Sequence, residues 1–307
     1  MSVATLLATL SPQWLPILVV VCLVPILTML LLRGKGDKGL KHPPSPPSLP
    51  VIGHLHLLGR LPHVSLFKLS KKYGPIMRVK MGSIPSIIIS SAEYSKVVLK
   101  DLDLETCSRP PATVPGKMSY NFLDVAFAPY SEYWREMRKI IIFELLSMKK
   151  VQMLWYAREA QMDNLLHSLN HAYPNPINIT KKIFEITDGF IGTVAFGKSY
   201  GKVSFKNELS EVVQGAMDML GTFHFADYYP SLGKYIDMLT GDAARQDDIF
   251  NQIDGYLNQA LAQHRDPKRP KPEHEDLVDI LLGLMRDKKS TFTMTDNHIK
   301  AVLMVIN

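Results

Sequence analysis

A chain of 307 residues, 46% of them hydrophobic, holds enough apolar material for one large core, and a net charge of +6 suits an anionic membrane leaflet or an acidic protein partner. Two cysteines, Cys22 and Cys107, exclude a disulfide framework and a Cys-rich metal centre. Nucleic acid is excluded as a partner because the basic residues are dispersed, without zinc-ligand spacing or a basic stripe interleaved with aromatics.

Met1 to Gln13 carries no charged side chain, and Leu15 to Leu32 is almost wholly apolar. At about 1.5 Å per residue this run can just cross a hydrocarbon core of roughly 30 Å. A cleaved signal peptide is the alternative, but there is no basic n-region and no Ala-x-Ala-like site. Arg33, Lys35, Lys38 and Lys41 follow against the single acid Asp37. The positive-inside rule then makes residues 1–14 a short luminal N-terminus, 15–32 a transmembrane signal-anchor, and the remainder cytosolic. Residues 33–50 form a basic and Pro-rich hinge ending in His42-Pro43-Pro44-Ser45-Pro46-Pro47-Ser48-Leu49-Pro50, where fixed φ angles and missing N–H groups predict a stiff, extended spacer. An SH3-type ligand is the other reading of such a segment.

Ser65 to Tyr73 reads as a helix stopped by Gly74-Pro75. Ile76 to Gly82 and Ile84 to Ser90 read as a hairpin with Ser83 at its turn. Ala92 to Leu102 is helical, and Ser108 to Asp124 is loop-like, punctuated by Pro115-Gly116. Ser131 caps the next helix, with Glu132 favourable in its first turn. Helices are predicted over Lys149 to Asn170, Ile179 to Phe196, Glu208 to Leu220 and Ala243 to His264. The second of these is apolar nearly all round and so should be a buried central helix. Asp227-Tyr228-Tyr229-Pro230 breaks the run, Asp266 to Glu275 is a charged loop, Asp276 to Met285 is a short helix, and Thr295 opens a final one. Asn178-Ile179-Thr180 matches a glycosylation acceptor by chance if the domain is cytosolic. The fold class is mainly α with a small N-terminal β-sheet.

The most informative stretch is Ala128 to Lys139, with Trp134-x-x-x-Arg138 at its centre. Four residues apart on a helix, an indole N–H and a guanidinium point the same way. Both are pure donors, so the face could clamp a dicarboxylate. The plain alternative is a core Trp beside a surface Arg on an amphipathic helix.

The hinge through Val51-Ile52-Gly53-His54, Lys72-Tyr73-Gly74-Pro75, Ser108-Arg109-Pro110, Ala126-Phe127-Ala128-Pro129-Tyr130, Trp134-x-x-x-Arg138-Lys139, Asp227 to Pro230, Glu275 to Leu282 and Ile299-Lys300-Ala301-Val302 occur in an order that resembles plant microsomal cytochrome P450s. The resemblance implies the P450 fold over 51–307, ending at the start of helix I. It implies a haem-thiolate monooxygenase on the endoplasmic reticulum membrane, oxidising a small lipophilic plant metabolite with O2 and with NADPH electrons from a P450 reductase. In such enzymes an axial Cys thiolate favours O–O cleavage. Trp134 and Arg138 would hold the haem propionates, and Arg135, Lys139, Lys149 and Lys150 would face the acidic reductase. Val114, Phe122, Leu123, Val125, Phe223 and Phe225 would contact substrate, although core packing explains each as well.

The chain also departs from that pattern. The Ala-Gly-x-Asp/Glu-Thr segment, Glu-x-x-Arg and the Cys ligand loop are absent, and Val305 stands where the family usually has an acid. Cys107 lacks the flanking glycines of a ligand loop, and Cys22 lies in the anchor. No metal ligand and no catalytic residue is therefore assigned, and these 307 residues alone are expected to be inactive. Two further readings stay open: a non-catalytic tethered fragment that binds the reductase or a full-length homologue, and a membrane-anchored helical ligand-binding protein.

Overall fold

The computed structural model describes residues 42–197, 203–287 and 292–306. The expected luminal segment 1–14, the anchor 15–32 and the hinge up to residue 41 lie outside them. Among the described residues no helix is long and apolar enough to cross a membrane. The chain divides into two compact units, Met1–Asp101 and Leu102–Asn307.

The first unit is organised by a hairpin. Helix α1 (Pro62–Tyr73) begins with Pro, whose fixed φ suits a first turn, and stops at Gly74, where φ is +105°. Pro75 cannot extend it, and β1 (Ile76–Met81) follows, paired antiparallel with β2 (Ile84–Ile89) from Ile76↔Ile89 to Met81↔Ile84. The two-residue turn places Gly82 at φ +60° at its first central position, as a II′-type hairpin turn demands. Helix α2 (Ala92–Lys96) is capped by Ser91 Oγ, which accepts the Tyr94 N–H, and runs into a π turn over Val97–Asp101.

The Pro-rich segment does not stand free of this unit. Buried His54 donates from Nε2 to the Pro46 carbonyl (2.8 Å), while its Nδ1 accepts the Lys80 N–H (2.7 Å). Arg78 N–H donates to the Pro44 carbonyl (2.9 Å). Gly53 approaches β1 so closely that a Cβ would lie 2.3 Å from the Lys80 carbonyl oxygen. Residues 44–54, part of the segment expected to be a stiff, extended spacer, thus run along the sheet edge.

The second unit is helical. Its elements are α3 (Asp103–Thr106), α4 (Thr113–Met118), α5 (Glu132–Ile140) with a π turn over Ile141–Leu145, α6 (Met148–Met153), α7 (Trp155–Ala172), α8 (Ile179–Phe196), α9 (Val203–Leu220), α10 (Phe225–Tyr228), α11 (Gly233–Thr240), α12 (Asp242–Arg265), α13 (Leu277–Asp287) and α14 (Asp296–Ile306). The core gathers Met137 of α5, Val194 to Phe196 of α8, Ile253 and Leu257 of α12, Leu281 of α13 and Ile299 and Leu303 of α14.

Two expectations are corrected here. Residues 108–124 are not all loop, because α4 forms within them. Pro115 sits in its first turn, where a missing N–H costs nothing, and Asp227 Oδ1 accepts both the N–H and the hydroxyl of Thr113 at 2.7 Å. Helix α8 is buried only in its C-terminal half: Phe184 is 70% exposed, whereas Ala195 and Phe196 are sealed. That half carries Gly189 and Gly192 among its buried residues, and Gly189 lies against Gln161 of α7. Asn178 of the acceptor-like tripeptide caps this helix, its Oδ1 accepting the Lys181 N–H (3.0 Å).

Candidate functional site

Helix α5 starts where Ser131 Oγ accepts the Trp134 N–H (3.2 Å), with Glu132 in the first turn and Arg138 and Lys139 in the last, as the helix dipole favours. Met137 is fully buried and anchors the opposite face. The loop before the helix is shaped by Asp124, wholly buried, whose Oδ1 accepts the Phe127 and Ala128 N–H groups (3.1 and 3.2 Å). Burial pushes the Asp124 carboxyl up, against the lowering effect of those backbone donors, and its Oδ2 has no hydrogen-bond partner.

That loop delivers the Val125 carbonyl to the indole, and Trp134 Nε1 donates to it at 2.9 Å. The indole N–H of the expected donor pair is therefore already engaged within the chain. The Arg138 guanidinium lies over the Trp134 ring, 5.1 Å from its centroid, and makes no ion pair with the described acids. Both residues line a cavity of about 460 Å³ with Asp103, Cys107, Arg109, Val125, Ala126, Ala128 and Tyr130. Its charged lining is Arg109 and Arg138 against Asp103. An aromatic platform under one unpaired guanidinium, a second cation nearby and an apolar wall of Val125, Ala126 and Ala128 fit the carboxylate edge of a flat apolar group.

Arg109 was read from the sequence only as part of Ser108-Arg109-Pro110 and was given no role at the site. It sits 29 positions before Arg138 in a Pro-rich loop, and no spacing rule links the two. Cys107 is half-buried in the same wall, with its Sγ donating to the Leu104 carbonyl at 3.8 Å.

The substrate-contact candidates are scattered. Val114 is buried in the core of α4, so packing is its role there. Tyr120, Asn121 and Phe122 hold three consecutive left-handed φ angles (+53°, +66°, +63°), and the Phe122 ring comes so near Gly116 that a Cβ there would lie 2.8 Å from it. The Leu123 carbonyl accepts the Tyr133 hydroxyl at 2.6 Å. Phe223 stacks on Tyr228 (centroids 4.6 Å) and meets Phe225 edge to face (5.1 Å). Of the six, only Val125 lines the cavity beside Trp134 and Arg138.

The left-handed segment is held by a partly buried network. Tyr120 Oη donates to Asp254 Oδ1 (2.8 Å), which also accepts Lys300 Nζ (2.6 Å), and Lys300 reaches Asn258 Oδ1 (3.1 Å). Burial alone would raise the Asp254 carboxyl, but hydrogen bonds from Lys300 and Tyr120 outweigh it and hold the group down. Among the reductase-face candidates, Arg135 pairs with Glu132 and Lys139 with Glu136 (2.5 Å) on their own helix, Lys149 is exposed, and Lys150 lies 3.9 Å from Glu275.

A family model described as Cytochrome P450 matches residues 43–307. The chain is 53% identical over 308 aligned residues to 2-methylbutanal oxime monooxygenase of Manihot esculenta, covering 99% of this chain and 60% of the relative. It is 43% identical to 4-hydroxyphenylacetaldehyde oxime monooxygenase of Sorghum bicolor, covering 88% and 52%. It is 40% identical to cytochrome P450 71B37 of Arabidopsis thaliana, covering 95% and 58%. The chain thus spans just over half the length of these curated relatives. Among solved structures, a zebrafish cytochrome P450 described with progesterone superposes with a TM-score of 0.61 at 20% identity, covering 80% of this chain and 55% of that one, a shared fold.

Proposed function

Since the chain belongs to the cytochrome P450 family, we propose that the protein is a membrane-tethered haem-thiolate monooxygenase acting on a small lipophilic plant metabolite, with an aldehyde oxime as the substrate class. The observation that carries the reading is the unpaired Arg138 guanidinium over Trp134, facing a cavity that Arg109 also lines. Arg138 and Arg109 would hold the propionate edge of the haem, with Trp134 as the platform that aims Arg138. Thiolate-ligated haem supplies reductive activation of O2 when bound. The protein's own part is to seat the haem edge, exclude water with the apolar wall, and present the segment around Phe122, Leu123 and Val125, together with Phe223 and Phe225, to the substrate. Val114 supports that segment from the core.

In the same proposal residues 1–14 are luminal, 15–32 anchor the protein in the endoplasmic reticulum membrane, 33–50 are the hinge, and 51–307 belong to a cytosolic P450 domain. Arg135, Lys139, Lys149 and Lys150 form the cationic face for an NADPH-dependent reductase. Neither Cys22 nor Cys107 is the axial ligand, so these 307 residues alone do not perform the oxidation.

Haemin titration of the purified chain tests the site. Arg138→Ala is expected to weaken binding roughly 10- to 150-fold, the effect of about 1.5–3 kcal/mol from one charge-assisted contact. Arg138→Lys should retain part of it, and unchanged affinity in Arg138→Ala returns Arg138 to the role of a surface charge. After reduction and CO addition the 307-residue chain should lack the red-shifted Soret band of thiolate ligation, and its appearance would overturn the ligand assignment. In membranes carrying the whole protein and a reductase, NADPH-dependent consumption of 2-methylbutanal oxime is expected. Consumption of neither that oxime nor 4-hydroxyphenylacetaldehyde oxime removes the substrate class and leaves the haem site standing.

A further inference from the structure

Two histidines that do not line this cavity share one face of α7. His167 and His171 are both exposed, one turn apart, with their Nε2 atoms 3.0 Å from each other and their rings edge to face at 4.3 Å between centroids. Such a contact needs one ring to donate its N–H and the other to accept it, so the two Nε2 atoms face each other on the same side of the helix. Imidazole nitrogen binds zinc-like divalent ions at about 2.0–2.1 Å, which puts two ligands of one ion about 2.9 Å apart at a right angle and about 3.3 Å apart at a tetrahedral angle. The observed separation falls within that span without any movement of the backbone.

We propose that His167 and His171 form a two-histidine chelate for a divalent transition-metal ion such as Cu²⁺, Ni²⁺ or Zn²⁺, with water in the remaining positions. Binding moves the proton of the donor ring from Nε2 to Nδ1 through solvent, so that both rings ligate as neutral imidazoles. The ion would bridge the last two turns of α7 just before Tyr173-Pro174. Among the described residues three potential ligand atoms also converge at His264, Asp276 and Asp279, but there the carboxylates already hold the Arg269 guanidinium. The α7 pair has no such occupant.

Cu²⁺ titration followed by calorimetry and electron paramagnetic resonance, on the full chain without a histidine tag, tests the proposal. Wild type should bind one ion tightly with hyperfine coupling to two nitrogens. His171→Ala should lose the chelate, weakening affinity on the order of 10²-fold, since the second ligand binds at high effective concentration. Adding Ala172→His to that variant restores the histidine count but turns the ring off the face, and should not restore affinity. His167→Gln, at an exposed position, must give the same loss. Equal affinity in wild type and His171→Ala places the ion on one of the other eight histidines and overturns the proposal, as does a two-nitrogen signal that survives in His171→Ala.

Discussion

Asp276→Asn should unseat the charge cluster that joins α12 to α13. His264 donates from Nδ1 to the Ala260 carbonyl (2.7 Å) and from Nε2 to Asp276 Oδ2 (2.8 Å), so both ring nitrogens face acceptors and the ring is an imidazolium. Its side chain is 0% exposed and that of Asp276 1%. Arg269 reaches Asp276 Oδ2 (3.0 Å) and Asp279 Oδ1 (2.5 Å), and Asp276 Oδ1 accepts the Asp279 N–H (2.9 Å) at the start of α13. Breaking a buried ion pair by removing one partner costs about 3–5 kcal/mol. Here Arg269 keeps Asp279, and an Asn keeps the acceptor for the Asp279 N–H, so the lower end, about 3 kcal/mol, is expected. With a urea m-value of about 1–3 kcal/mol/M, the midpoint should drop by roughly 1 M or more.

The pH dependence gives an independent reading. Burial would lower the His264 pKa, but the hydrogen bond and charge of Asp276 outweigh it and raise it above the ordinary value of about 6.5. Its contribution is fully present below about 6.5 and is lost as pH rises through the raised folded value. His298 behaves oppositely: burial lowers its pKa, so its stability contribution is present above about 6.5 and is lost as pH falls towards the depressed value. From these two groups stability should peak near pH 6.5. The alkaline limb should vanish in Asp276→Asn and the acid limb in His298→Gln. An unfolding free energy within about 1 kcal/mol of wild type, or an alkaline limb that persists in Asp276→Asn, would refute the reasoning.

Gly197→Ala is expected to cost at least about 2 kcal/mol, because φ is +62° at the end of α8 and the new Cβ would stand 2.5 Å from Asp276 Oδ2; thermal unfolding reads it, and an unchanged Tm sinks the idea. Asp227→Ala removes the acceptor that caps α4 from 114 residues away, and should cost about 1–2 kcal/mol with new protease cleavage within 112–119; resistance equal to wild type would count against it. Asp124→Asn keeps the Oδ1 acceptor and removes a buried charge, so at pH 8 the variant should be as stable as wild type or more so. The raised wild-type carboxyl strengthens the fold as pH falls from above its folded value towards about 4, and the Asn variant should lack that gain; a loss above about 1 kcal/mol at pH 8 contradicts it.

Elements whose signals are local were legible in the chain. The Gly74-Pro75 stop, the Gly82-Ser83 turn between alternating runs and the Ser131 cap each act within a few residues, and α1, the hairpin and α5 fall where these signals put them. Elements stabilised across the chain were not. Helix α4 is capped by Asp227, and the Pro-rich segment is docked by a histidine whose second bond runs 26 residues to Lys80. The apolar circumference of α8 suggested burial on all sides, but periodicity does not say which side has a partner, and Phe184 has none of the burial that Phe196 enjoys. At the site the spacing of Trp134 and Arg138 was visible, while Arg109 needed the fold to bring it to the same cavity.

The two residues of that motif divide the work differently from what spacing alone implies. Trp134 is fixed at both ends, its backbone N–H on Ser131 and its indole N–H on Val125, and Val125 is placed by the turn that Asp124 ties. Arg138 then takes its direction from the indole beneath it. Positional control therefore runs from Asp124 through Val125 and Trp134 to Arg138, whereas Arg109 enters from a separate loop. Asp124→Ala should for this reason weaken haemin binding without touching the ligand. Its effect should be strongly non-additive with Arg138→Ala, with a coupling of about 0.5–3 kcal/mol, and nearly additive with Arg109→Ala. Equal coupling to both arginines would mean that Asp124 acts through global stability and not through the indole.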